Sequence, residues 1–156
     1  MAIATLSGTA TASAPTLMWS GAKRVQILCN VVGGPGIDQG ALTVQLCGEV
    51  KLLAGRRAPL PVDVISFGDP AVLSSDAVTL LVHASISRDD RNRLLAFSIR
   101  PYRVSDSQAG VLFGAVPRAV ALRGPHISGI AVAAAIDAAL SGTLPWRSAW
   151  SIQPIN

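Results

Sequence analysis

The sequence predicts an α+β fold: a two-layer sandwich with an antiparallel or mixed sheet of four to five strands and two helices on one face. Three observations carry that reading. Apolar residues alternate with a period of two in several short segments, the pattern of half-buried strands. Two other segments repeat their apolar residues at intervals of three and four, the pattern of a helix with one buried stripe. Several strand segments follow one another through short polar turns, which suits antiparallel or mixed pairing better than a wholly parallel sheet.

The first strand runs from Arg24 to Val32, with Val25, Ile27, Cys29 and Val31 on one face. Gly33 to Gly36 break it. Asp38 is placed to cap a helix, because its carboxylate can accept from backbone N–H groups two or three residues on. Leu42, Leu46, Val50 and Leu53 then form one apolar stripe. Gly40 and Gly48 weaken that helix locally without breaking the stripe. Gly55 ends it, with Lys51, Arg56 and Arg57 near the negative end of the helix dipole.

Leu60 to Phe67 read as a second strand opened by Pro61, and Gly68 to Pro70 as a turn. The next strand alternates strictly. Val78, Leu80, Val82, Ala84 and Ile86 take one side, and Thr79, Leu81, His83 and Ser85 the other. Ser87 to Arg93 form a polar hairpin loop, and the return strand carries Leu95, Phe97 and Ile99 on one face. Pro101, lacking an N–H, suits an edge position or a strand end. Val111 to Leu122 are strand-like but interrupted by Gly114 and Pro117. Ser128 is read as the cap of a last helix, with Val132, Ile136 and Leu140 stacked on one side and Gly142 ending it. The order is β-α-β-β-β-(β)-α. Val25, Ile27, Leu46, Val50, Val82, Phe97, Val132, Ile136 and Leu140 are expected to share one core.

The 156 residues suffice for a single domain with a hydrophobic core. Half of them are apolar and 14% are charged, which excludes disorder for most of the chain and points to a hidden or shared apolar face. Apolar runs are broken by Gly, Ser, Arg or Asp well short of a bilayer-crossing length, so no membrane span is expected. Eleven Arg stand against two Lys, and Glu49 is the single Glu beside eight Asp. With so much Ala, that bias suggests a GC-rich bacterial genome. A net charge of +4 permits an anionic partner but is too mild for nucleic acid, which would also call for more aromatics.

Residues 1–20 read as a flexible arm or the remnant of a signal peptide, and 21–156 as one domain with a Trp-containing tail from about 142. Ala10 to Ala14 hold two small-x-small patterns, and with Pro15 following, the better cleavage point lies between Ala12 and Ser13. In the tail, Trp146 is expected to pack on the core and Trp150 to be open to a partner.

Cys29 and Cys47, the only cysteines, bracket a Gly-rich turn. A strand, such a turn and a helix can cradle a phosphate. Here Pro35 removes a donor, Asp38 puts a carboxylate where the phosphate would sit, and no Lys-Ser or Lys-Thr pair follows. A disulfide stapling strand to helix is the expectation, with two buried free thiols as the alternative. The staple and the signal-like terminus together point to a periplasmic or secreted protein, with a cytoplasmic one as the alternative. No metal site is expected from two Cys and two distant His, and no cofactor motif is present.

His83 and His126 read as surface or structural residues, and no G-x-S-x-G accompanies them, so no catalytic residue is assigned. Asp89 and Asp90 sit among Arg88, Arg91 and Arg93 as a charge-compensated hairpin tip. Those three Arg, with Arg100, Tyr102 and Arg103 in the following strand, form a candidate partner site to which Trp150 is added. Its partner would be a protein or an acidic envelope component, a glycan or lipid head group. The plainer reading is a basic edge that resists strand-to-strand aggregation.

The order of elements resembles that of small envelope accessory proteins of Gram-negative bacteria. The leading function is a non-enzymatic periplasmic binding or assembly accessory protein. A small enzyme with a non-obvious His/Asp/Ser site and a structural subunit of a larger assembly are the alternatives. The oligomeric state is left open.

Overall fold

A computed structural model describes residues 16–88, 93–104, 116–123 and 126–147. Its elements are α1 (Thr16–Trp19), β1 (Arg24–Gly33), α2 (Gln39–Ala54), β2 (Val62–Val64), β3 (Ala77–Arg88), β4 (Arg93–Tyr102), β5 (Arg118–Leu122) and α3 (Ile130–Ser141). The strands form one open sheet in the order β2-β1-β3-β4-β5. β1 lies parallel to β2 and β3, while β3–β4 and β4–β5 are antiparallel, so the sheet is mixed. Its register sets Cys29 beside Val82 and Val82 beside Ile99, which keeps the apolar set of each strand on the helix side. A slip of one residue would turn that whole set outward.

All nine residues expected in the core are buried in one cluster. Helices α2 and α3 pack on the sheet and on each other. The connection from β1 to β2 moves one way across the sheet, and that from β2 to β3 moves back. Two right-handed crossovers in opposite directions run over opposite faces. The second crossover is short: Asp69 Oδ1 accepts from Ala71 N at 2.8 Å and starts a single 3-10 turn, Pro70–Leu73.

Asp38 caps α2, its Oδ1 accepting from Ala41 N at 3.0 Å. That bond gives the carboxylate a structural role in the Gly-rich turn. Four expectations need correction. The second strand spans only Val62–Val64, because Gly68 at φ 82° and the Asp69 turn redirect the chain soon after it pairs with β1. Ser128 does not cap α3. The N-cap is Gly129, which adopts φ 112°, a conformation only glycine enters without strain, and no side chain bonds the helix there. β4 is not an edge strand, but Pro101 stands one residue from its end, the other position expected, and β5 pairs only with Arg93–Phe97, leaving that end beyond its reach. The N-terminal arm gives way to structure before residue 20: α1 begins at Thr16, Met18 is fully buried, and Trp19 meets Trp146 edge-on at 5.3 Å.

Two arginines tie these parts together. Arg147 Nη1 donates to Leu53 O at 2.7 Å, while its Nη2 pairs with Asp137, so one guanidinium joins the C-terminus of α2 to α3. Arg103 donates to Met18 O at 3.0 Å, to Ser20 O at 2.6 Å, and to Ser75 O through Nε at 3.1 Å and Nη2 at 3.0 Å. It closes the N-terminal segment and the β2–β3 connection over the end of β4. Arg103→Ala should lower unfolding free energy by about 1–2 kcal/mol, because three carbonyls lose a charged donor and water replaces it only in part. Arg103→Lys should recover only a fraction, since one ammonium cannot reproduce a planar fork. Urea denaturation of the three proteins measures both effects.

Asp76 lies on the same side of the molecule. It accepts from Ser74 Oγ at 2.6 Å and from Arg24 Nη2 at 3.1 Å. The Ser74 hydrogen bond first, and then Arg24, hold its carboxyl below the ordinary value of 3.8. A folded-state pKa below the unfolded one stabilises the fold above the unfolded value, and that contribution is lost as pH falls through the folded one. The stability gap between the native chain and Asp76→Asn should therefore be present at neutral pH and close on acidification below about 3.8. Denaturant midpoints taken across that range check it.

Candidate assembly surface

Helix α2 turns Leu42, Leu46, Cys47, Val50, Leu53 and Ala54 inward. Its opposite side carries Ala41, Val44, Gly48 and Leu52, all exposed. Val44 and Leu52 are exposed by 73% and 62%. Helix α3 buries Val132, Ile136, Ala139 and Leu140, and leaves Ile130, Ala131, Ala134 and Ala138 exposed. Ile130, the first residue of α3, is 92% exposed. Both helices thus carry apolar residues on their outer sides too, mixed on α2 with the exposed Lys51. A helix in an isolated globule ordinarily shows water a polar face.

An open cleft of about 300 Å³ lies where α2 meets the segment before α3, lined by Val44, Gln45, Gly48, Glu49, His126, Ile127 and Ser128. Gln45 organises it. Its Oε1 accepts from Ile127 N at 2.9 Å, which orients the amide. Its Nε2 then faces His126 Nδ1 at 3.3 Å and donates to it. That leaves the imidazole proton on Nε2. The side chains of Glu49 and Ser128 make no hydrogen bond or ion pair among the described residues. The cleft brings a His and a Ser together, as the enzyme alternative would require. Its imidazole, however, is held by an amide rather than a carboxylate, and Ser128 does not bond to it. A nucleophile activated by a base needs that contact.

The described residues of the expected Arg-rich site lie at the two ends of β4. Arg88 ends β3 directly opposite Arg93 in register. Arg100 and Tyr102 lie at the far end of β4, roughly 23 and 30 Å from Arg93 at the usual rise per strand residue. Arg93 also shares the parity of the core residues Leu95 and Phe97, whereas Arg100 and Tyr102 take the other face. Arg103 is engaged by backbone carbonyls on three sides, so it is a structural clamp. Arg91, Asp89, Asp90 and Trp150 lie outside the described residues. Trp146 packs against the core as expected, while the buried indole N–H groups of Trp146 and Trp19 have no hydrogen-bond partner among the described residues. His83 is exposed on the sheet face away from the helices, between Asn30 and Ser98 in register.

Cys29 and Cys47 are joined, with Sγ atoms 2.15 Å apart and Cα atoms 5.8 Å apart. Among the described residues there is no group of three or more His, Cys, Asp or Glu able to hold a metal ion, and no helix is long and apolar enough to cross a membrane.

The outer helix faces are what reading by stripes overlooked. Val44, Leu52 and Ile130 stand off the buried stripes, with the exposed Lys51 beside them on the outer side of α2. Apolar residues outside the stripe were the available signal.

No protein-family model matches the chain, and no curated protein matches it. Among solved structures it is similar to PelC dodecamers from Paraburkholderia phytofirmans. One, a point variant, is 9% identical, with a TM-score of 0.47 over 79% of this chain and 89% of that one. In a second crystal form the identity is 10% and the TM-score 0.45, over 80% and 90% of the two chains. Likeness at this level carries no functional argument.

Proposed function

We propose that this chain is a non-enzymatic assembly accessory protein of the bacterial envelope, acting as a subunit of a larger complex outside the cytoplasm. The observation that carries the reading is the set of apolar residues on the outer sides of both helices, a surface suited to burial against protein. The Cys29–Cys47 bond supports an oxidising compartment.

For an acidic partner we favour Arg100 and Tyr102 within the expected set of Arg88, Arg91, Arg93, Arg100, Tyr102, Arg103 and Trp150. Arg100 is exposed and its side chain has no hydrogen bond or ion pair among the described residues. It is free to meet a carboxylate or phosphate of a protein, glycan or lipid head group.

Fractionation of native cells followed by sizing of the envelope extract tests the assembly reading. The protein should leave with the periplasmic contents, in a species well above its own 16.1 kDa. Recovery as a free chain from the cytoplasm would overturn it.

A further inference from the structure

The sheet ends at β5, and no strand lies beyond it among the described residues. One proline settles which backbone groups of β5 point outward. Pro101 stands inside the β3–β4 ladder, opposite Leu80, yet has no N–H to give. In an antiparallel pair, hydrogen-bonded and non-bonded positions alternate. Pro101 therefore holds a non-bonded position toward β3, and the odd-numbered residues of β4 turn their N–H and C=O groups toward β5. There Arg93, Leu95 and Phe97 meet Leu122, Val120 and Arg118. Those three residues of β5 direct their backbone groups to β4. Ala119 and Ala121 direct theirs the other way, off the edge of the sheet.

Both alanines are exposed, and no backbone hydrogen bond crosses that edge among the described residues. Their methyl groups lie on the face away from the helices, Ala119 beside Ala96 and Ala121 beside the exposed Leu94. Those four residues make a low apolar shelf along the edge, which larger side chains of an added strand can cover. Arg118 and Arg123 stand exposed at the two ends of β5, roughly 17 Å apart at the usual rise per strand residue. Neither side chain has a hydrogen bond or ion pair among the described residues.

We propose that the β5 edge binds an extended segment of another protein as an added strand, a segment apolar at alternate positions and acidic at both ends. An N–H and a C=O on each of two alternate residues match a peptide backbone, which offers the same groups at the same spacing. A lipid head group or an anionic glycan could use the arginines but would leave that donor–acceptor pattern unmatched. A second copy is disfavoured by charge. It would bring its own Arg118 and Arg123 to the seam, β5 holds no acidic residue to meet them, and each chain already carries a net +4. Arginines at an edge guard a sheet against strand-to-strand aggregation. Here they repel like copies and admit a segment with carboxylates at its ends. The edge is a different surface from the outer helix sides and from Arg100, so its test leaves the assembly role untouched.

The test titrates the full-length, oxidised, 15N-labelled protein with the capped peptide Asp-Val-Thr-Val-Thr-Val-Asp and follows amide exchange and resonance shifts. In the free chain the amides of Ala119 and Ala121 should exchange rapidly and those of Val120 and Leu122 slowly. The peptide should protect the two alanines. Ala121→Pro removes an outward N–H and leaves the β4 ladder whole, so it should keep the native thermal transition yet bind the peptide at least about tenfold more weakly. Val120→Pro, one position earlier, removes a ladder bond and should lower the melting temperature. Arg118→Glu with Arg123→Glu should weaken binding about tenfold and reverse the preference toward a peptide ending in lysines. No protection of Ala119 and Ala121 at millimolar peptide would overturn the proposal, as would equal binding of the acid-ended and lysine-ended peptides by the native chain. Protection of both alanines that rises with protein concentration alone would overturn it in favour of a second copy.

Discussion

Ile136→Asp should leave the protein without a cooperative thermal transition. Ile136 is fully buried in α3, and the cluster around it, including Val132, Leu140, Phe97 and Leu95, is made of apolar side chains. Removing the isoleucine sacrifices its burial and leaves part of its volume unfilled, a loss of about 2–5 kcal/mol in comparable cores. The carboxylate then either charges with no cation beside it or stays protonated at a cost, adding several kcal/mol. The sum approaches the whole net stability of a typical domain, about 5–15 kcal/mol. Ile136→Val separates volume from charge and should cost only about 0.5–1.5 kcal/mol. Ala134→Asp, two residues away on the exposed side, should stay within about 0.5 kcal/mol of the native chain. Circular dichroism during heating reads all three. A native-like transition in Ile136→Asp would mean that α3 does not pack on the sheet through this residue.

That contrast between neighbouring positions shows which features were legible beforehand. Strands β3 and β4 alternate strictly, so their inward residues could be named from periodicity, and the α2 and α3 stripes likewise. Periodicity is silent about what lies on the far side of an element. Val44 and Leu52 on α2 are as apolar as Leu42 and Leu46, and only packing separates the exposed pair from the buried one. It is equally silent about where a long side chain ends. Arg100 and Arg103 look alike in the sequence, yet one is exposed and the other binds three carbonyls contributed by distant segments. Proximity in sequence is not proximity in space after the hairpin, because an extended strand carries Arg93 and Arg100 far apart. The Gly129 cap was missed for a different reason: Ser128 has the chemistry of a cap, but the turn into α3 needs a backbone conformation that serine resists.

Breaking the Cys29–Cys47 bond should cost about 3 kcal/mol, the second large effect. The two cysteines are 18 positions apart, and the loop between them holds the Gly-rich turn and the first half of α2. Closing a loop of that length removes much of the freedom the unfolded chain would otherwise regain. Both sulfurs are nearly buried, between the β1 face carrying Ile27 and Val31 and the inner side of α2. Cys29→Ala with Cys47→Ala should therefore stay folded but unfold at lower urea, with the loss concentrated in midpoint rather than slope. Non-reducing peptide mapping of protein from its native compartment should give one peptide pair linking Cys29 and Cys47. Reduction should bring the native chain to about the stability of the double variant. Free thiols at both positions in that preparation would remove the staple, and with it the support for an oxidising compartment. A double variant as stable as the native chain would instead mean that the α2–β1 packing, with Leu42, Leu46 and Val50 against the sheet, already restricts the loop without the covalent bond.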